Sequence, residues 1–180
     1  MALPSYSIPY GLRDVKLKQF PATGETPLGS LVDLPASRIF SFAETEDFEE
    51  LRGDDTVIAT HGSGSTVAWS LESGGISLDA YKVMAGGATA TSGVTPNEKK
   101  TYTKLGTDSR PYFQVEGQII SDNGGDLHGI VYKAKAEGEI GGQFEDASFF
   151  LTGASGRGIP RISDSKTYDI VQNETAAAIT

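Results

Sequence analysis

Residues 39–72 read IFSFAETEDFEELRGDDTVIATHGSGSTVAWSLE. From 39 to 46 the side chains alternate. Phe40, Phe42, Glu44 and Glu46 share one face, and Ile39, Ser41, Ala43 and Thr45 the other. A period of two belongs to a strand. Arg52, Gly53 and Asp54 mark a turn, and strands are expected over 56–61 and 65–72. In the last of these, Val67, Trp69 and Leu71 face one way and Ala68, Ser70 and Glu72 the other. Because its neighbours at i±2 are aliphatic, Trp69 is expected in the core and not as a ligand platform.

The same alternation extends outward. Further strands are expected over 14–20, 112–121, 127–136, 143–152 and 166–172, with turns at Asp122-Asn123-Gly124-Gly125-Asp126 and at the glycines of 138–142. One helix interrupts them. Ser77 is a good N-cap, Asp79 suits the first turn, and Gly86-Gly87 stop it. Leu78, Tyr81 and Met84 or Ala85 form its expected buried stripe. So short a helix must dock on a sheet to persist. Residues 1–11 read as an extended arm, 21–38 as a long Pro-rich loop, 86–111 as a second irregular stretch, 153–160 as a loop and 173–180 as a loose tail. The expectation is a single domain over 1–180, mainly β: a β-sandwich or partial barrel with one short flanking α-helix and extended N-terminal arm and loops.

Composition narrows the function. A chain of 180 residues suits one domain, and 22 glycines with 38% hydrophobic residues imply many turns and a modest core. The 24 acids against 15 bases leave a net charge of −9, which argues against a DNA grip built on counterion release. With no cysteine, disulfide scaffolds, thiolate metal sites and cysteine nucleophiles are excluded. No apolar run approaches the roughly 18 residues of a membrane span, and residues 1–20 hold no signal-peptide core, so a soluble protein without a membrane partner is expected.

Catalytic patterns are weak. His61 and His128, the two histidines, are expected to face solvent or a satisfied neighbour. In GSGST at 62–66 a glycine holds the place of an elbow nucleophile. GASGRG at 153–158 lacks the Lys-Ser/Thr ending of a phosphate loop, and SDNGGD at 121–126 is too short for a calcium loop. RGD at 52–54 is a tripeptide common by chance. The chain is therefore not expected to be an enzyme, and no catalytic residue, cofactor or metal is expected. The densest feature is acidic: Glu44, Glu46, Asp47, Glu49, Glu50, Asp54 and Asp55 within twelve residues, against Arg52 alone. It reads either as a solvated hairpin tip or as a surface that repels polyanions or meets a charged neighbour.

The run FSFAETEDFEELRGDDTVIATHG, followed by TVAWSLESGGISLDAYKVMAGG, resembles the major tail tube proteins of siphophages, those of phages infecting actinobacteria in particular. The order strand, E-x-E-x-x-E-E-L-R-G-D-D, strand, aromatic strand, G-G-I-S-L-x-A-Y helix carries the likeness, closely over 39–87 and more loosely beyond. The resemblance implies a virion protein assembled in the bacterial host cytoplasm. Such proteins form hexameric rings that close an inner β-barrel and stack into the hollow tube of a long non-contractile tail. The tape measure protein and DNA occupy the lumen, and tail terminator and tail-tip proteins meet its ends. Six copies at −9 each give a ring charge of −54, suited to a lumen that DNA does not stick to. The faces bearing Glu44 and Glu46, or Gln114, Glu116 and Gln118, are candidates for that wall. Lys99, Lys100, Arg157 and Arg161 are candidate bases for acids of a neighbouring subunit. Two rival readings are a bacterial secretion-tube protein and a monomeric β-sandwich binding module using Tyr112, Tyr132 or Tyr168.

Overall fold

The computed structural model describes residues 5–21 and 23–180. In chain order its elements are β1 (Pro9–Gln19), β2 (Leu31–Asp33), β3 (Ser37–Gly53), β4 (Thr56–Ser73), α1 (Leu78–Ala85), β5 (Ala88–Ser92), β6 (Lys99–Thr103), β7 (Phe113–Ser121), β8 (Asp126–Ala136), β9 (Thr152–Gly158) and β10 (Tyr168–Asn173). The fold is mainly β and antiparallel, as the alternation predicts, and its main sheet is open and not a closed barrel.

The main sheet runs β2-β1-β7-β8-β9-β4-β3. The free edge of β8 is divided: β10 pairs with its first half, from Asp126 to Val131, and β9 with its end, from Ala134 to Ala136. That division lets β9, β4 and β3 fold back over β1, β7 and β8. Val15, Leu17, Phe113, Val115 and Val131 meet Val67, Trp69 and Leu71 between the two layers, and all are buried. Trp69 lies edge-on to Phe113 at 5.4 Å between centroids, in the core as expected.

The helix forms where its caps place it. The Ser77 hydroxyl accepts from the Ala80 amide at 3.3 Å, and Gly86 takes φ 77° at the other end. Its buried residues are Ala80, Val83 and Met84. Of the expected stripe only Met84 is fully buried. Small Ala80 and Val83 let the helix sit close on the sheet, while Tyr81 turns to stack on Tyr102 of β6 at 5.9 Å.

Five stretches differ from the sequence expectation. Residues 5–11 are not a free arm: β1 begins at Pro9, and the Ile8 amide donates to Ser121 Oγ and Asn123 Oδ1. Within 21–38, β2 pairs with β1 and Leu34 is buried. Glu25 of the same stretch accepts from the Lys133 ammonium and from the Ser163 amide, so the loop is tied to its own sheet. Residues 86–111 contain the β5–β6 hairpin. Residues 143–151 are irregular, and the strand lies instead at β9, inside the expected loop. Its glycines explain the miss. A Cβ on Gly156 would strike the Lys135 carbonyl, and one on Gly158 would lie 2.6 Å from Val131 Cγ1. Close approach to β8 demands glycine there, and glycine hides the strand signal. Finally, the tail after β10 is not loose: Ile179 is buried and Ala177 is hydrogen-bonded through both backbone groups.

Candidate assembly interface

β3 and β4 form one hairpin, joined by a two-residue turn at Asp54-Asp55 whose φ values are 50° and 63°. Positive φ at both central residues is the hairpin turn that matches strand twist, and aspartate tolerates it. The base of the hairpin is locked to the sandwich. Gly117 and Gly129 are cross-strand partners on β7 and β8, and together they leave a slot. Phe40 fills it over Gly117 and Phe42 over Gly129, where a Cβ would lie 2.6 Å from the Phe42 ring. Tyr168 continues the aromatic row, 5.7 Å from Phe42, and donates to Glu44 Oε2 at 2.9 Å.

Beyond that anchor the hairpin leaves the body. None of the described side chains from 46 to 65 is buried. About ten residues per strand at about 3.3 Å each make a ribbon about 30 Å long. Phe48 is 64% exposed, Leu51 62% and Ile58 65%. β3 is also the last strand of the sheet, so its outer edge carries no strand partner among the described residues. A two-stranded ribbon is marginal in water by itself, and a long bare edge is a template for another chain.

The acids of 44–55 are all exposed, Glu44 at the anchor and the other six on the ribbon. Within the chain, Arg52 binds Glu50 at 2.6 Å. The structure thus brings seven of the eight candidate acids together. Glu116 is the exception. It is buried on the outer face of β7, its Oε1 2.7 Å from His128 Nδ1. The face that carries Gln114, Glu116 and Gln118 is therefore no open wall at Glu116 and Gln118, because the C-terminal segment lies across it.

Three of the four candidate bases have partners in their own chain. Lys100 holds Asp79 at 2.5 Å and, chiefly through that hydrogen bond, keeps its carboxyl below the ordinary carboxylate range. Arg161 pairs with Asp164 and stacks over the Tyr132 ring at 4.2 Å, and Arg157 lies 3.8 Å from Glu137. Lys99 is exposed on β6. The three tyrosines of a carbohydrate-type module are also engaged: Tyr112 beneath Lys133 and Lys135, Tyr132 beneath Arg161, and Tyr168 in the aromatic row.

Two features escaped the sequence reading. The irregular stretch 137–151 presents Phe144 at 89% and Phe149 at 88% exposure. The other is the group beneath the C-terminal segment. His128 Nε2 lies 3.0 Å from Asp126 Oδ2, and Gln118 Nε2 donates to the same oxygen at 2.5 Å. Asn173 donates to Asp126 Oδ1 at 2.8 Å. Burial raises the Asp126 pKa, but the hydrogen bonds from Gln118, Asn173, Ala177 and His128 outweigh it and bring it down to about 2. Burial lowers the His128 pKa, but the bonds and charges of Glu116 and Asp126 outweigh that and raise it.

Among the described residues no three His, Asp or Glu side chains are placed to hold a metal ion, and no helix is long and apolar enough to cross a membrane. No protein-family model matches the chain, and no curated protein matches it significantly.

Proposed function

We propose that this chain is a structural subunit that assembles with copies of itself into stacked rings, forming the hollow tail tube of a phage with a long non-contractile tail. The projecting β3–β4 ribbon carries the reading. It joins an edge without a strand partner among the described residues, exposed apolar side chains and dense negative charge in one projecting element. Edges joined around a ring are abolished, as closure abolishes them in any barrel. Such a contact is heterologous, and rotation closes it. The ring number of six comes from the resemblance of residues 39–87 to siphophage tail tube proteins. On this reading Glu44 and Glu46 face the lumen, where DNA and the tape measure protein pass, and the chain has no catalytic role.

The charge makes a test. Hairpins brought side by side set seven acids against the seven of each neighbour. Their repulsion is screened over a Debye length of about 10 Å at 0.1 M salt and about 3 Å at 1 M. Assembly followed by light scattering is therefore expected to strengthen as salt rises from about 0.01 M to 0.5 M. Assembly that weakens over that range would show the ribbon acids paired with bases of the neighbour, and would remove them from the lumen. A protein that stays monomeric at every salt and concentration would refute the reading itself.

A further inference from the structure

The C-terminal segment 174–180 crosses the outer face of β7 and β8 with little apolar grip. Its side chains are mostly small, and only Ile179 is buried. The hold is polar. The Ala177 amide donates to Asp126 Oδ2 at 2.9 Å, and the Ala177 carbonyl accepts from Gln118 Nε2 at 2.8 Å and lies 3.1 Å from His128 Nε2. Lys18 donates to the Thr180 carbonyl at 2.6 Å. The three links at Ala177 gather on Asp126, on His128 and on Gln118, which itself donates to Asp126.

That pair fits one protonation state. His128 Nδ1 faces Glu116 Oε1, and Nε2 faces Asp126 Oδ2 and the Ala177 carbonyl. All these partners are acceptors. A neutral imidazole has one N–H and one bare lone pair, so either tautomer would point a lone pair at an oxygen. The imidazolium donates from both sides and balances charge between two carboxylates held out of water.

We propose that segment 174–180 is a proton-operated strap, held on the β7–β8 face while His128 is protonated and released when that proton leaves. Loss of the proton leaves Glu116 and Asp126 as buried carboxylates with no cation between them. Asp126, the group that holds the Ala177 amide, then has no cation beside it, and one ring nitrogen sets a bare lone pair against either Glu116 Oε1 or the Asp126 and Ala177 oxygens. This inference stands apart from the assembly reading and survives its failure.

Other charged groups also lie near His128. On β1, Asp14, Lys16 and Lys18 are neighbours on this sheet. Lys16 is paired in register with Glu116, and its Nζ lies 3.3 Å from Asp14. Asp33 of β2 lies beyond, opposite Lys16. On β10, His128 is opposite Val171, and Asp169 is held by Lys166 and the Tyr132 hydroxyl. Glu174 is in the strap itself. His61, the other histidine, is exposed on the ribbon.

The signs define a window. In the folded chain burial lowers the His128 pKa but Glu116 and Asp126 outweigh it and raise it above 6.5, so its contribution to folding is complete below about 6.5 and is lost as pH rises through the raised value. The Asp126 pKa is lowered from 3.8 to about 2, so its contribution is present above 3.8 and is lost as pH falls through about 2. Both contributions are complete between about pH 4 and 6.5, the range in which the strap is expected to be held.

The chain has no cysteine, so Ala178→Cys gives a single thiol on an exposed strap residue for a nitroxide label. Its paramagnetic resonance spectrum is recorded from pH 5 to 9.5. The immobile component is expected to dominate at pH 5.5 and to give way to a mobile one as pH rises, with circular dichroism unchanged. Each unit by which docking raises the His128 pKa changes the docked-to-free ratio about tenfold across the transition. His128→Gln in the same background, which cannot titrate, is expected to abolish the transition. Should that variant fail to fold, the His128 ring resonances of the otherwise unaltered chain are titrated by NMR, and their midpoint must match that of the label. A spectrum invariant with pH, a transition that persists in His128→Gln, or a His128 midpoint that differs from the label's would each overturn the strap.

Discussion

A chain in which Asn-Gly replaces residues 46–65, closing the hairpin between Thr45 and Thr66, is expected to fold and to remain monomeric at every concentration. Thr45 and Thr66 are partners in the β3–β4 register, so a two-residue turn can join them. The excised segment contributes no buried side chain among those described, whereas Phe40, Phe42, Val67, Trp69 and Leu71 all stay. Changes at such surface positions usually alter stability by no more than about 0.5 kcal/mol. Shortening the loop lowers closure entropy slightly and works in the favourable direction. Denaturant midpoints should therefore remain close to those of the full chain, while sedimentation shows no species above the monomer. Rings formed by the shortened chain would remove the ribbon from the interface.

Phe113→Ala is expected to cost about 3–5 kcal/mol of folding free energy, read from urea unfolding. Phe113 has no exposed surface, starts β7 and meets Trp69 edge-on between the two layers. Removing it deletes a large transfer term and leaves a cavity that the paired strands cannot close. A domain of this size has about 5–15 kcal/mol in all, so the variant sits near its threshold. The site is instructive because the Trp69 indole Nε1 is buried with no hydrogen-bond partner among the described residues. Trp69 is held there by shape and area alone. A loss below about 1 kcal/mol would contradict the placement of Phe113 at the centre of the core.

These two experiments separate what the sequence states from what only the fold reveals. The β3–β4 hairpin was legible because Phe40, Phe42, Val67, Trp69 and Leu71 alternate, and the helix because Ser77 and Gly86 cap it. The full length of the ribbon was less clear, since glycines and serines at 62–65 break the alternation while the strand continues through a bulge. β9 was concealed by the glycines its close packing requires. β5 and β6, five residues each and mostly exposed, carry no pattern that a loop lacks.

The site divides in the same way. The acids of the ribbon are contiguous, so their clustering could be read directly. The group around His128 could not, because it depends on register. Asp126 and His128 share one face of β8, but Gln118 meets His128 only through the β7–β8 pairing, and Ala177 arrives from about fifty residues away. Glu116 is a wall candidate through the strand face it shares with Gln114 and Gln118, and pairing with a buried histidine gives it a different role. The bases divide too: Arg161 meets Asp164 only three residues on, whereas Lys100 and Arg157 meet Asp79 and Glu137 about twenty residues away, which no spacing rule reveals.

Self-assembly is the centre of this account, and electron microscopy of the concentrated, purified protein tests it most directly, alone and seeded with tail-tip complex. Hollow tubes of stacked rings are expected, with the β3–β4 ribbons on the lumen wall. Uniform monomers under both conditions would contradict self-assembly.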